Sequence, residues 1–331
     1  MRKTVITTLS CLLLSLSLAP TAYAQELVAG GQVVGIQIKT DGIIVAGLAP
    51  VETAEGRCSP AADAGLQQGD LIMELGGRAL DGAGDLITSV GQLSGAPAQL
   101  TVERQGRCLS LTVRPALSNE NQWRLGLWLR DRIEGLGTLT FYDPATGLFG
   151  ALGHSVSDLD SGASAPMSRG SITEAEVLNV KPGAAGAPGE LDGCADLERE
   201  LGALEANTEH GVFGHSVVPL GGRSVELGQP QPGPATILAT VSGREAGEYQ
   251  VRIDRLYRDG DGLHMTLTVT DPALLQSTGG IVQGMSGSPI LQNGCLVGAV
   301  THVFVNEPAR GYGISIQDML CAAGLVQETA A

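Results

Sequence analysis

Basic residues are scarce in this chain. Its 331 residues include 20 Lys and Arg against 35 Asp and Glu, a formal charge of −15. Nucleic acid and anionic membrane surfaces are recognised by clustered Lys and Arg, so neither is an expected partner. Aromatics are also sparse, at 3% of residues, while glycine fills 47 positions. Many glycines and few charged, helix-favouring stretches argue for short strands joined by tight turns. There is no CxxC pair and no HExxH-like pair, so no metal and no cofactor is expected. After the first 25 residues no segment is long and apolar enough to span a bilayer. What remains, 43% hydrophobic and 17% charged residues, suffices to bury a core and argues against disorder. The length suggests about two domains.

The N-terminus reads as an address. Arg2 and Lys3 precede an uncharged run whose apolar centre is Leu9 to Ala19, and Ala22-Tyr23-Ala24 supplies the small-x-small pattern of a signal-peptidase site. Residues 1–24 are therefore expected to be a signal peptide or, if uncleaved, a membrane anchor, and any membrane association runs through that segment. Export permits disulfides. Five cysteines follow the segment, Cys58, Cys108, Cys194, Cys295 and Cys321. The number is odd, so at least one is free or bonds another molecule, and spacing gives no connectivity.

Residues 30–116 read as one unit. Val33 to Ile38 and Gly42 to Ala46 look like strands paired around Thr40-Asp41-Gly42. Ser59-Pro60 opens a short helix, with Ser59 as cap and Pro60 at the first position. Asp85 to Leu93 suits a second helix, and Gln99 to Glu103 and Leu109 to Arg114 a closing hairpin turned at Gln105-Gly106. Ala62-x-Ala64-Gly65-Leu66-x-x-Gly69-Asp70-x-Ile72, followed by Gly76-Gly77, resembles a PDZ domain. In that pattern Gly65 and Gly69 suit positive φ, Asp70 accepts backbone hydrogen bonds, and Leu66 and Ile72 face the core. The resemblance implies capture of peptide C-termini or internal segments by strand addition, with the carboxylate-receiving loop near Gly35, Ile36 and Gln37.

Polar residues 115–123 place a boundary before a second region, 124–325. Three hairpins stand out there: Gly137–Phe141 into Leu148–Gly153, Tyr249–Tyr257 into Leu263–Thr270, and Pro289–Gln292 through Asn293-Gly294 into Cys295–Phe304. With a C-terminal helix near Ile316 to Ala323, the region reads as β-rich and barrel-like.

Gly284-Met285-Ser286-Gly287-Ser288-Pro289 meets the local needs of a serine nucleophile. Gly284 can bend the chain so that its N–H and that of Ser286 face one oxyanion hole, and Gly287 leaves room for a substrate backbone. Gly-x-Ser-Gly-x-Pro is the pattern of trypsin-like serine peptidases. The base is His154, which follows an apolar strand, or His215, which sits in the same Gly-His-Ser context; spacing does not decide between them. The orienting carboxylate is Asp271, at a strand end fifteen residues before Ser286, with Asp158 and Asp160 as alternatives. The order His, Asp, Ser matches the trypsin-like arrangement. A base of this kind would titrate near an ordinary histidine value, about 6 to 7. His302 lies on the strand that would wall the specificity pocket and, if protonated, would favour an acidic side chain.

Leu148 to Asp158, Thr278 to Ile290 and Gly298 to Asn306, in a chain ordered signal segment, PDZ, peptidase, resemble the stage IV sporulation protein B (SpoIVB) peptidase family. The resemblance implies a mainly β protein, an α+β PDZ domain followed by a trypsin-like β-barrel, with His154, Asp271 and Ser286 as triad. It implies a self-cleaving, PDZ-regulated serine endopeptidase. Acting between the membranes around a forespore, such an enzyme cleaves a regulatory membrane protein, and an intramembrane protease then processes a late sigma factor. The alternative is a non-catalytic PDZ scaffold carrying a degenerate protease domain.

Overall fold

A computed structural model describes residues 26–157, 164–260 and 262–326. The export segment expected at 1–24 and the carboxylates Asp158 and Asp160 lie outside the described residues.

Two strand circuits dominate. In the first, Val33–Leu48 pairs with Leu127–Tyr142, which passes to Leu148–Ala151, Gly211–Ser216, Glu190–Thr208 and Met167–Lys181, and the last returns to Val33–Leu48. In the second, Gly233–Ala239 pairs with Gly247–Asp259, then Gly262–Val269, Glu307–Ser315, Cys295–Phe304 and Pro289–Gln292, which closes on Gly233–Ala239. Every pairing is antiparallel, and each circuit closes on itself. The hairpins expected at 143–147, 259–262 and 293–294 are all present. Asn293 (φ 54°) and Gly294 (φ 82°) take the left-handed conformations that a tight two-residue turn demands.

Alternation of apolar residues fills both barrels. Ile237, Ile253, Met265, Leu267, Ile290 and Val300 are fully buried in the second, and Ile38, Phe149, Ile172 and Val212 in the first. A third cluster, including Leu27, Phe141, Leu296, Ile314 and the C-terminal helix Ile316–Ala322 through Ile316, Met319 and Leu320, joins them. Each such side chain contributes about 1.5–3 kcal/mol on burial. Leu27–Ala29 stitches the barrels: it pairs with Leu127–Tyr142 of the first and with Arg223–Leu227, which lies parallel to Cys295–Phe304 of the second.

The PDZ domain has its own core of Ile43, Val45, Leu66, Ile72, Leu86, Val90, Leu100 and Val102. Its helices are Pro60–Asp63, with Pro60 at its start but no side-chain bond from Ser59, and Ala83–Gln92. Asp70 behaves as its motif implies. It is buried, accepts from the Gln67 N–H at 2.9 Å, and pairs with Arg104 at 2.6 Å.

The divide expected at 115–123 is not where the cores part. Val33–Leu48 is one strand in two halves: Val33 to Lys39 pairs within the first barrel, while Ile43 to Leu48 pairs with Leu71–Leu75 and with Leu127 to Arg130 in the PDZ domain. Leu127–Tyr142 is shared in the same way, and Leu125 is part of the PDZ core. Gly42 (φ 117°) is the joint; a Cβ there would fall 2.8 Å from Leu71 and Met73. The turn expected around Thr40-Asp41-Gly42 is thus a bend within a continuous strand.

Candidate active site

Ser286 sits in the bend that leads into Pro289–Gln292, at the junction of the barrels. Gly284 (φ 97°) and Gly287 (φ 95°) both occupy the left-handed region, which favours glycine. At Gly287 a Cβ would also lie 2.1 Å from the Thr138 carbonyl and 2.5 Å from the Leu152 nitrogen. Thr138, buried on the long shared strand, braces the loop twice: its hydroxyl donates to the Gly284 carbonyl at 2.8 Å and its N–H to the Ser286 carbonyl at 2.9 Å. The N–H groups of Met285, Gly287 and Ser288 are spent on the carbonyls of Val282, Val300 and Met285. Among the described residues, no acceptor is bonded to the N–H of Gly284 or of Ser286, and both residues are only half-buried.

His154 follows the strand Leu148–Ala151. Leu152 (φ 70°) and Gly153 (φ 72°) turn the chain in succession. A left-handed leucine is strained by about 1–3 kcal/mol, which the packing of buried Leu152 must sustain. Gly153 lies against Thr301, whose Cγ2 is 3.1 Å from where a Cβ would be. Thr301 also receives the Ser286 hydroxyl, Oγ to carbonyl oxygen 2.6 Å. Thr301 therefore adjoins both the turn that carries His154 and the hydroxyl of Ser286. No hydrogen bond joins the two directly. The His154 Nδ1 is 2.8 Å from the Ser155 carbonyl. A carbonyl only accepts, so Nδ1 carries the proton and Nε2 keeps the lone pair.

A cavity of about 600 Å³ opens beside His154, lined by Thr301, His302, His264, Arg255, Tyr257 and Tyr312 among others. The His302 ring lies tilted against that of His154, centroids 4.4 Å apart. Burial first, and then the adjoining His302, push His154 down to about 4, against the Ser155 bond. Burial also lowers His302. The expectation of a base titrating at about 6 to 7 is corrected accordingly. The idea that His302 attracts acidic side chains as a cation loses its charge at neutral pH.

The structure does not bring Asp271 to His154. Its carboxylate caps the helix Pro272–Thr278, accepting from the N–H groups of Ala273 (2.9 Å) and Leu274 (3.1 Å), and also from that of Gln250 (3.2 Å). Those backbone bonds, with Leu274 foremost, hold it below the usual carboxylate range, and no imidazole acts on it. The Asp-Pro pair that looked like a strand end is a helix start. His215 is exposed and bonds Glu205 at 2.9 Å.

Gly35, Ile36 and Gln37 are not a carboxylate loop. They pair on one side with Leu136, Gly135 and Glu134 and on the other with Thr173, Ile172 and Ser171, so both edges of the strand are filled. The unfilled PDZ edge lies elsewhere. Among the described residues, Leu127 to Arg130 pairs with Ile44 to Leu48 on one side only, and the helix Ala83–Gln92 packs beside it, tied by the Ala83 N–H to Asp131 Oδ2 at 2.9 Å. Leu125-Gly126-Leu127, with Gly126 at φ 76°, turns into that edge. These residues lie beyond the boundary expected at 115–123, yet they belong with the PDZ core. Thr138 carries no local motif at all.

The SpoIVB peptidase S55 family model matches residues 121–320. The chain belongs to this family. It is an S55 serine endopeptidase with a PDZ domain, and the reading as a non-catalytic scaffold falls. Among solved structures, the S55 chain is similar to the PDZ domain of the SdrC-like protein (Lmo2051) from Listeria monocytogenes, with 22% identity over 28% of this chain and 93% of that one, and a TM-score of 0.23. It is also similar to the active form of the Rv3671c protease from M. tuberculosis, with 15% identity over 61% of this chain and 78% of that one, TM-score 0.34. For an inactive form of Rv3671c protease the figures are 14%, 58%, 84% and 0.33. These likenesses are too distant to bear on residue roles. No curated protein matches the chain.

Proposed function

We propose that Ser286 is the nucleophile and His154 the general base of this endopeptidase, with the N–H groups of Gly284 and Ser286 as its oxyanion hole. The observation that carries the reading is the pair of unengaged N–H groups, on Gly284 and on Ser286 itself, beside a hydroxyl that bonds the Thr301 carbonyl, Thr301 lining the same cavity as His154. For attack the Ser286 hydroxyl turns from the Thr301 carbonyl toward His154 Nε2, which takes its proton as Oγ bonds the scissile carbonyl carbon. The two N–H groups receive the oxyanion. Collapse expels the amine, which takes the proton from His154, and water then repeats the sequence on the acyl-enzyme. The Ser155 carbonyl does the orienting work otherwise given to a carboxylate, by fixing the tautomer.

The unpaired edge at Leu127 to Arg130 supports strand addition of a peptide to the PDZ domain, beside the helix Ala83–Gln92. Family membership and the leader-like residues 1–24 support an exported or membrane-anchored enzyme. Its substrate is a regulatory membrane protein whose cleavage triggers intramembrane processing of a late sigma factor, and self-cleavage accompanies this.

A fluorophosphonate probe on the full chain tests the site. Labelling is expected in wild type and in His215→Ala, to be absent in Ser286→Ala and strongly slowed in His154→Ala. Labelling that survives Ser286→Ala would refute the assignment.

A further inference from the structure

Four successive peptide planes run through the nucleophile loop, and they alternate in how they are held. The plane joining Gly284 to Met285 is fixed at both ends, its carbonyl by the Thr138 hydroxyl and its N–H by the Val282 carbonyl. The plane joining Ser286 to Gly287 is likewise fixed at both ends, by the Thr138 N–H and the Val300 carbonyl. The two planes between and before these are held at the carbonyl only. The Leu191 N–H donates to the Gln283 carbonyl at 2.9 Å. The Met285 carbonyl takes two donors from one residue, the Ser288 N–H at 3.0 Å and the Ser288 hydroxyl at 2.7 Å. Their N–H ends, on Gly284 and Ser286, are the open ones.

A trans peptide is planar, and its N–H points opposite to its C=O. Gripping the carbonyl therefore aims the N–H, and a carbonyl already accepting hydrogen bonds makes the N–H of its plane a stronger donor. Ser288 is fully buried, and Met285 is the sole hydrogen-bond partner of its hydroxyl among the described residues. We infer that Ser288 is a positioning residue for the reaction: through the Met285 carbonyl its side chain aims and strengthens the Ser286 N–H that receives the oxyanion. This rests on the assignment of the hole above. Leu191 performs the matching service for Gly284 through the main chain, and its side chain packs within 3.0–3.1 Å of where a Gly284 Cβ would stand.

The test is pre-steady-state acylation of the full chain by p-nitrophenyl acetate, an ester small enough to need the hole and little else, with thermal unfolding in parallel. Deleting an oxyanion donor outright costs about 100- to 1000-fold, so mis-aiming one in Ser288→Ala is expected to slow acylation about 10- to 50-fold. The ester's dissociation constant should stay within about twofold, because the ground-state ester carries no oxyanion to lose. Ser288→Cys fills the same space with a weak donor and should fall between Ala and wild type; it carries the test if the Ala variant does not fold. Wild-type acylation rates in the folded Ala or Cys variant overturn the inference, and so does weaker ester binding with an unchanged acylation rate. A wild-type burst that persists in Ser286→Ala fails the assignment of the site itself and is thereby distinguished.

Discussion

The imidazole of His302 lies against that of His154, ring centroids 4.4 Å apart and planes inclined at 33°. Two cations cannot share that space cheaply, so protonation of either ring is opposed by the other as well as by burial. His154, the proposed base, is thereby kept neutral well into the acid range.

The acid limb of kcat/KM is accordingly expected near pH 4, where His154 gains its proton. A lowered value means that the neutral base persists to lower pH, so the rate should be level through neutrality and fall only below about pH 5. In His302→Gln the opposing neighbour is gone and the limb moves up in pH. A pH–rate series on both proteins checks the direction; a limb that stays in place assigns the shift to burial alone.

Asp271→Ala should behave as a capping variant. The bonds from Ala273, Leu274 and Gln250 are lost, the cap alone costing about 1 kcal/mol of stability, while acylation of Ser286 changes little. A triad carboxylate would instead cost about 10⁴-fold in kcat. Denaturant unfolding beside fluorophosphonate labelling separates the two outcomes.

Thr138→Val keeps the N–H bond to Ser286 and removes the hydroxyl from the Gly284 carbonyl. Leaving that acceptor unmatched is expected to cost about 1–3 kcal/mol in stability and to slow labelling of Ser286. Thr138→Ser, which retains the donor, should recover most of both. Failure of serine to restore the rate would mean that the methyl group matters and the hydrogen bond does not.

Peptide capture should follow the edge near Gly126 and not Gln37. Trp128→Glu, at a side chain 67% exposed, is expected to weaken binding of C-terminal peptides by tenfold or more, about 1.4 kcal/mol. Gln37→Ala disturbs only its bond to Glu134 and should leave affinity unchanged. Fluorescence anisotropy with a labelled peptide pool reads both.

Local chemistry was legible in the sequence. Asn293-Gly294 announced its hairpin, Gly284-x-Ser286-Gly287 its bend, and Asp70 its own turn. Partners distant along the chain were not. Nothing near Val33 says that seven residues serve one barrel and the next stretch another domain, because pairing with residues 127–138 leaves no local trace. Asp271 misled for the same reason: Asp-Pro after a strand is equally a turn, a triad approach and a helix cap, and only the positions of the Ala273 and Leu274 N–H groups decide. Ser288 stood in the motif, but its burial and its one acceptor become visible only once the loop is folded.

The two strands that run through both domains also govern how the molecule can be taken apart. Residues 121–320, excised at the limits of the family match, would lack Leu27–Ala29 and Val33 to Lys39. The first barrel would then be a split stave-work with bare flanks on Leu127–Tyr142 and Met167–Lys181, prone to zip onto a neighbouring copy. The hydrolase and its docking module are carpentered from common timber. Two strands belong to both, Val33–Leu48 and Leu127–Tyr142.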